Sequence, residues 1–287
     1  MTEKLSVTEA AAVIQSLYDD REILDLYAAG DKLSSGQTKH DIGHAFSVLS
    51  TAEYLTGEIH KRFPEKLDDE TRKVVIPAGA FLHDIGRAID VADHAGAGAK
   101  VTRTLLEPRG IDTDVIKRIQ RIVALHRSSA VLKMKFNDPA WAIVVIADKC
   151  VGDEDRVRPN KAAILRGLRF LRIAHINWWD NAEHDRVNFA IKMSNLLVDS
   201  DDSPSPAHAG AIVLKLTLDE VVAPATELLA LYADRFHSCG RAAKYLGFVF
   251  RIEINGVRWL FDDDKDKWRP IRGFSVPLPS TIMHKPE

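Results

Sequence analysis

The run Ile76-Pro77-Ala78-Gly79-Ala80-Phe81-Leu82-His83-Asp84-Ile85-Gly86-Arg87 decides how this chain is read. An uncharged, mostly apolar stretch leads straight into an imidazole and a carboxylate. The spacing predicts a helix from Val74 to about Ile89 that is apolar almost all round, and such a helix belongs in the middle of a domain. A His-Asp pair at the end of a buried helix is costly unless something compensates it. Neighbouring helical residues point about 100° apart, so His83 and Asp84 can approach one ion from two sides. Gly86 permits close backbone approach just beyond them.

Working outward, two further groups fit the same pattern. His44 lies 39 residues before His83, in His40-Asp41-Ile42-Gly43-His44-Ala45-Phe46. Asp148 lies 64 residues after Asp84 and closes another apolar run, Trp141-Ala142-Ile143-Val144-Val145-Ile146-Ala147. Six of the 11 histidines (His40, His44, His60, His83, His94 and His126) fall between residues 40 and 126. Neutral imidazole is the commonest protein metal ligand.

Residues 1 to about 175 read as helices. Ser6-Val7-Thr8-Glu9 has capping-box spacing. Phe46, Leu49, Ala52 and Leu55 recur on one face of a helix over about 41–61. Further helices are expected near 93–107, 113–127, 139–151 and 160–174. After Trp178 the pattern changes. Strands are expected at 187–198 and 211–216, separated by the loop 199–206. A long amphipathic helix follows over about 219–245, then strands around the hairpin signal Asn255-Gly256. The tail from Asp262 reads as loose coil. The expected architecture is mainly α, with a helical bundle over 1–175 and a small α+β domain of order β-β-α-β-β over 176–287.

Bulk properties bound the function. The 287 residues are 46% hydrophobic and 28% charged, ordinary values for a globular protein. A net charge of −2 gives no global footprint for long nucleic acid, which is not expected as a partner. No apolar run approaches a membrane span. The N-terminus does not read as a signal peptide, so a cytoplasmic location without membrane contact is expected. Cys150 and Cys239 form no metal-type pair and are expected as buried free thiols.

The ordered set His44, His83-Asp84 and Asp148 resembles the H…HD…D signature of the HD superfamily, all-helical metal-dependent phosphohydrolases. The segments 81–87, 93–99 and 122–126 resemble that family's core helix, its following helix start and a histidine-bearing helix end. The resemblance covers about residues 38–160. It implies His44, His83, Asp84 and Asp148 as ligands of a catalytic ion, with Asp84 also orienting water. His94 and His126 are either ligands of a second ion or pocket residues. His40 is a substrate-side group or a histidine bonded to backbone. The tail, including His184-Asp185-Arg186-Val187-Asn188 read as strand, resembles that of HD-containing proteins of unassigned activity. It is a candidate for covering the pocket or for pairing two copies.

Mixed nitrogen and oxygen donors suit Mn²⁺, Fe²⁺, Co²⁺, Ni²⁺ or Zn²⁺, with Mg²⁺ also considered, as one ion or two. A small phosphorylated substrate, a nucleotide among others, needs cations around it. Arg87 and Lys149 are candidates beside the catalytic groups, and Arg156 and Arg158 for binding phosphate. Arg166, Arg169 and Arg172 share a helix face. Two other readings stand beside hydrolysis: a nucleotide-binding sensory module without turnover, and a di-iron oxygenase using His94 and His126.

Overall fold

In the computed structural model, residues 4–173, 179–199, 209–262 and 267–270 are described. Helices α1 (Val7–Ser16), α2 (Arg21–Leu33), α3 (Ile42–Arg62), α4 (Ile76–Leu82), α5 (His94–Leu106), α6 (Thr113–Leu125), α7 (Ser128–Val131), α8 (Pro139–Cys150) and α9 (Pro159–Phe170) build the first part. Local chemistry starts most of them. The capping box at Ser6 and Glu9 is formed. Asp20, Asp41, Asp93, Asp112 and Asp138 each accept a first-turn N–H. A short side-chain oxygen satisfies donors that the helix itself leaves open. Helix α8 is buried on every side from Ala140 to Asp148 and packs against α3, α4 and α6.

The helix expected over 74–89 is shorter. Thr71–Val75 is a π turn, α4 ends at Leu82, and Ile85–Ala88 is a separate 3₁₀ turn. Pro77 supplies the reason for the π turn: it has no N–H for the preceding turn, and its ring crowds that backbone. The early end leaves His83 and Asp84 at a corner rather than on a continuing helix. Tyr27 donates a hydrogen bond to the Phe81 carbonyl just before that corner.

The second part holds α10 (Ala182–Ala190), α11 (Ala225–Leu231), α12 (Ala233–Leu246) and one five-stranded sheet, so the chain as a whole is not all-α. Strands β1 (Ile191–Asp199), β2 (Ala211–Leu218), β3 (Val249–Ile254), β4 (Val257–Asp262) and β5 (Lys267–Pro270) lie in sequence order. All neighbours are antiparallel except β2 and β3, which are parallel and joined through α11 and α12. Asn255 and Gly256 turn the β3–β4 hairpin with φ of 51° and 79°, the left-handed geometry an Asn-Gly pair accepts.

Three expectations are corrected here. Residues 187–190 are helical and belong to α10, with strand only from Ile191. The helix expected over 219–245 begins at Ala225 and breaks at Tyr232. Part of the expected coil tail is β5. Most of the expected loop (200–206), Trp178 and the tail from residue 271 lie outside the described residues.

One hydrophobic cluster runs through both parts, from Ile14 through Trp141 to Ile254. Helix α12 packs on α8 and on β3. The thiols of Cys150 and Cys239 are buried, unbonded and 3.8 Å apart across the α8–α12 contact. Burial and the neighbouring thiol push Cys150 well above the ordinary thiol range. Among the described residues, no helix is long and apolar enough to cross a membrane.

Candidate metal centre

Five helix ends meet at one place. His44 is in the first turn of α3, His83 and Asp84 follow α4, His94 opens α5, His126 caps the end of α6, and Asp148 sits in the last turn of α8. All six side chains are buried. Gly86 allows the convergence: a Cβ there would lie 2.1 Å from the His94 carbonyl oxygen and 2.2 Å from the Gly98 nitrogen. Only glycine lets the 3₁₀ turn rest against the start of α5.

The distances define two groups. His44 Nε2 lies 3.6 Å from Asp148 Oδ1 and 4.0 Å from Asp84 Oδ2. His83 Nε2 lies 3.7 Å and 3.5 Å from the same two oxygens. On the other side, Asp84 Oδ1 is 3.3 Å from His94 Nε2 and 3.6 Å from His126 Nε2, and those two nitrogens are 3.3 Å apart. His44, His83 and Asp84 form one candidate ligand set, and Asp84, His94 and His126 form another, with Asp84 in both.

Three imidazoles are oriented from behind. His83, His94 and His126 have Nδ1 at 2.8, 3.1 and 2.7 Å from the carbonyls of Ala80, Val91 and Val123. A carbonyl accepts, so each Nδ1 carries the proton and each Nε2 presents a lone pair to the centre. His83 Nε2 and Asp84 Oδ1 are buried without a hydrogen-bond partner. Lone pairs facing carboxylate oxygens repel unless positive charge lies between them. The donor set therefore fits a divalent cation on the chemistry of its own atoms.

The titration pattern agrees. Burial, aided by the charge of Arg156, pushes His44 down to about 3, and burial with Lys149 does the same to His126. Burial would lower His83 too, but Asp84 outweighs it and holds His83 above its ordinary value. Against burial, His83 and Arg87 keep Asp84 well below the usual carboxylate range, and Lys149 and His44 do so for Asp148. Two ionised carboxylates among imidazoles, three of which (His44, His94 and His126) burial holds neutral, make a cation-seeking cluster.

Asp84, His94, His126 and Asp148 of the cluster line a cavity of about 480 Å³. Arg87 lines it, with Nε 3.1 Å from Asp84 Oδ2 and Nη1 bonded to Gln37 Oε1. Lys149 Nζ sits 2.6 Å from Asp148 Oδ2. His40 lines the wall, with Nδ1 2.7 Å from the Thr38 carbonyl, and Arg156 is part of the same wall. Arg158 does not line the cavity. It is spent on Asp31 at 3.0 Å and on the carbonyls of Gln37 and Ser34, bracing the loop before α3. Arg169 pairs with Asp219, and Arg166 lies over Phe189 at 6.0 Å, so that basic face docks the second part of the chain.

Sequence reasoning missed the opposite wall, which includes His184, Asn188, Tyr232 and Arg235. Read as helix, His184 and Asn188 stand one turn apart on one face; read as strand, that signal disappears. Tyr232 and Arg235 carry no pattern that marks them. Trp141 is fully buried, and Trp179 donates to Asp185 at 2.8 Å. Both serve packing.

Comparison with known proteins follows this geometry. The family model of the HD domain matches residues 40–174. A crystal structure of a predicted HD superfamily hydrolase from an uncultured Thermotogales bacterium is 24% identical, with 61% of this chain and 79% of that one covered at a TM-score of 0.31. No curated protein matches.

Proposed function

We propose that this chain, whose residues 40–174 match the family model of the HD domain, hydrolyses a phosphate ester of a small molecule at a centre whose two candidate ion sites would share Asp84. The observation that carries this reading is the pair of buried three-residue donor sets sharing one carboxylate. His44, His83, Asp84 and Asp148 would hold one ion, and His94 and His126 would hold the second with Asp84. Bound divalent ions supply Lewis acidity, lowering the pKa of water toward neutrality and neutralising phosphoryl charge.

The chain's own groups do the rest. Asp84 divides its oxygens between the two sets, and Arg87 fixes its orientation through the 3.1 Å contact to Oδ2. Lys149 restrains Asp148 in the same way. The backbone carbonyls behind His83, His94 and His126 hold the imidazoles in one tautomer. His40 and Arg156 stand on the substrate side of the cavity.

Metal analysis of the purified protein should return about two divalent ions per chain, the number of donor sets. A phosphate-release screen over nucleotides and sugar phosphates with Mn²⁺, Co²⁺, Ni²⁺ and Mg²⁺ should then find turnover. Asp84→Ala should remove both ions and lower turnover by about 10³-fold or more, the equivalent of several kcal/mol of transition-state stabilisation. Full activity in that variant would refute the assignment. A di-iron oxygenase is the second reading, since His94 and His126 stand with Asp84 in a second donor set. Iron content with oxygen uptake and no phosphate release would select it.

A further inference from the structure

The cavity holds positive charge that is not ion-paired to the carboxylates of the centre. Arg87 and Lys149 each face a carboxylate of the centre. Arg156 and Arg235, which line the same cavity, form no ion pair with either carboxylate, though Arg156 lies within the field of Asp148 and Asp84. Arg156 gives Nε and Nη2 to the Lys39 carbonyl at 3.1 and 3.0 Å. Arg235 gives Nη2 to the Lys149 and Val151 carbonyls at 3.1 and 3.5 Å. Carbonyls orient a guanidinium without neutralising it. Burial, with the charge of Arg235 next, lowers Arg156 from the usual arginine range, which places the two cations within each other's field. The remaining acid of this wall, Asp234, is exposed and carries no ion pair to either.

Tyr232 completes the arrangement. It is 5% exposed and lines the cavity, and the Arg235 guanidinium lies 4.4 Å from its ring centroid. Its hydroxyl is buried beside the Asn188 and Arg235 side chains and makes no well-formed hydrogen bond. Two half-buried cations held together and a buried donor left open are each unfavourable. A single anion between them would relieve both. A carboxylate would leave one guanidinium uncompensated, whereas a phosphate dianion matches both charges and has an oxygen left for the hydroxyl.

We propose that Arg156, Arg235 and Tyr232 form a subsite for a second phosphate, so that the substrate is a small molecule bearing two phosphate groups. One group sits at the metal cluster and the other against α11 and α12. A cavity of about 480 Å³ has room for such a compound. Placing the first phosphate rests on the hydrolase reading; binding of the second does not.

Calorimetric titration of full-length protein with inorganic phosphate, Mn²⁺-loaded and chelator-stripped, separates the two. The loaded protein should bind two phosphates. The stripped protein should keep the one at the subsite. Arg235→Gln should weaken that event by roughly tenfold to a hundredfold, the value of a hydrogen bond to a charged group. Arg235 also ties the end of α8, so Tyr232→Phe is the second variant. It removes only a hydroxyl whose nearest polar neighbours are Asn188 and Arg235, should change the melting temperature little, and should weaken the same event by about tenfold. No phosphate uptake by the stripped protein, wild-type affinity in both variants, or equal displacement by acetate would overturn the subsite. Loss of only the metal-dependent event, with no turnover on any ester, would instead count against the hydrolase reading and leave the subsite standing.

Discussion

At the scale of single residues, the centre sets its own response to acid. His44 and His126 have folded pKa values near 3, against about 6.5 in an unfolded chain. Between those values the unfolded chain binds protons that the folded one refuses. Stability is therefore complete above about pH 6.5 and falls as pH drops toward 3, by about 1.4 kcal/mol per pH unit for each imidazole. His40 and His94 are shifted in the same direction, chiefly by burial. His83 has the opposite sign, but its stabilising proton is lost only as pH rises above 6.5 through its raised folded pKa. Thermal melts of the chelated protein should therefore decline from pH 6.5 to 4. A melting temperature that is flat or rising over that range would contradict the buried neutral imidazoles. The core of the candidate site was legible because His83-Asp84 and Asp148 are polar groups closing apolar runs, a pattern that burial makes expensive. Arg158 was misread because an arginine bracing a carbonyl-rich loop and one awaiting phosphate have the same local sequence; only the partners differ.

At the scale of elements, position matters more than propensity. The centre depends on where helices stop: α4 at Leu82, α6 at Leu125, α8 at Cys150. Gly86 couples the end of α4 to the start of α5. Gly86→Ala would drive a methyl group into the backbone of α5, at a cost of about 3 kcal/mol or more, and would push His94 away from Asp84. The expected result is a lower melting temperature with loss of the ion on the His94–His126 side. An unchanged melt and full metal content would show that the turn can yield. The helical elements were readable from caps and periodicity. Helix α10 was not, because Val187, Asn188 and Phe189 are poor helix formers. It is held by tertiary contacts instead: Lys161 to Asp185 at 2.6 Å, and Arg186 to Glu227. No local pattern encodes those.

At the scale of the whole molecule, the two stretches distinguished by composition share one hydrophobic cluster and one cavity. Four of the groups on its far wall, His184, Asn188, Tyr232 and Arg235, come from beyond residue 176. This was the least legible part of the site, since convergence from distant segments leaves no spacing to read. The outcome is an uneven distribution of charge. The chain carries a net charge of −2, yet Arg87, Arg127, Lys149, Arg156 and Arg235 all open onto a single hollow. Set against Asp84, Asp148 and Asp234 on the same lining, those five cations leave an excess of two positive charges (five minus three) at the mouth, where field lines converge on an approaching anion. Capture should then be steered, and electrolyte should blunt it: kcat/KM for a multiply charged substrate would drop as ionic strength climbs past the point where the Debye length shrinks below about 10 Å, while kcat holds steady. The hollow would act as a funnel in dilute buffer and as a plain pocket in brine.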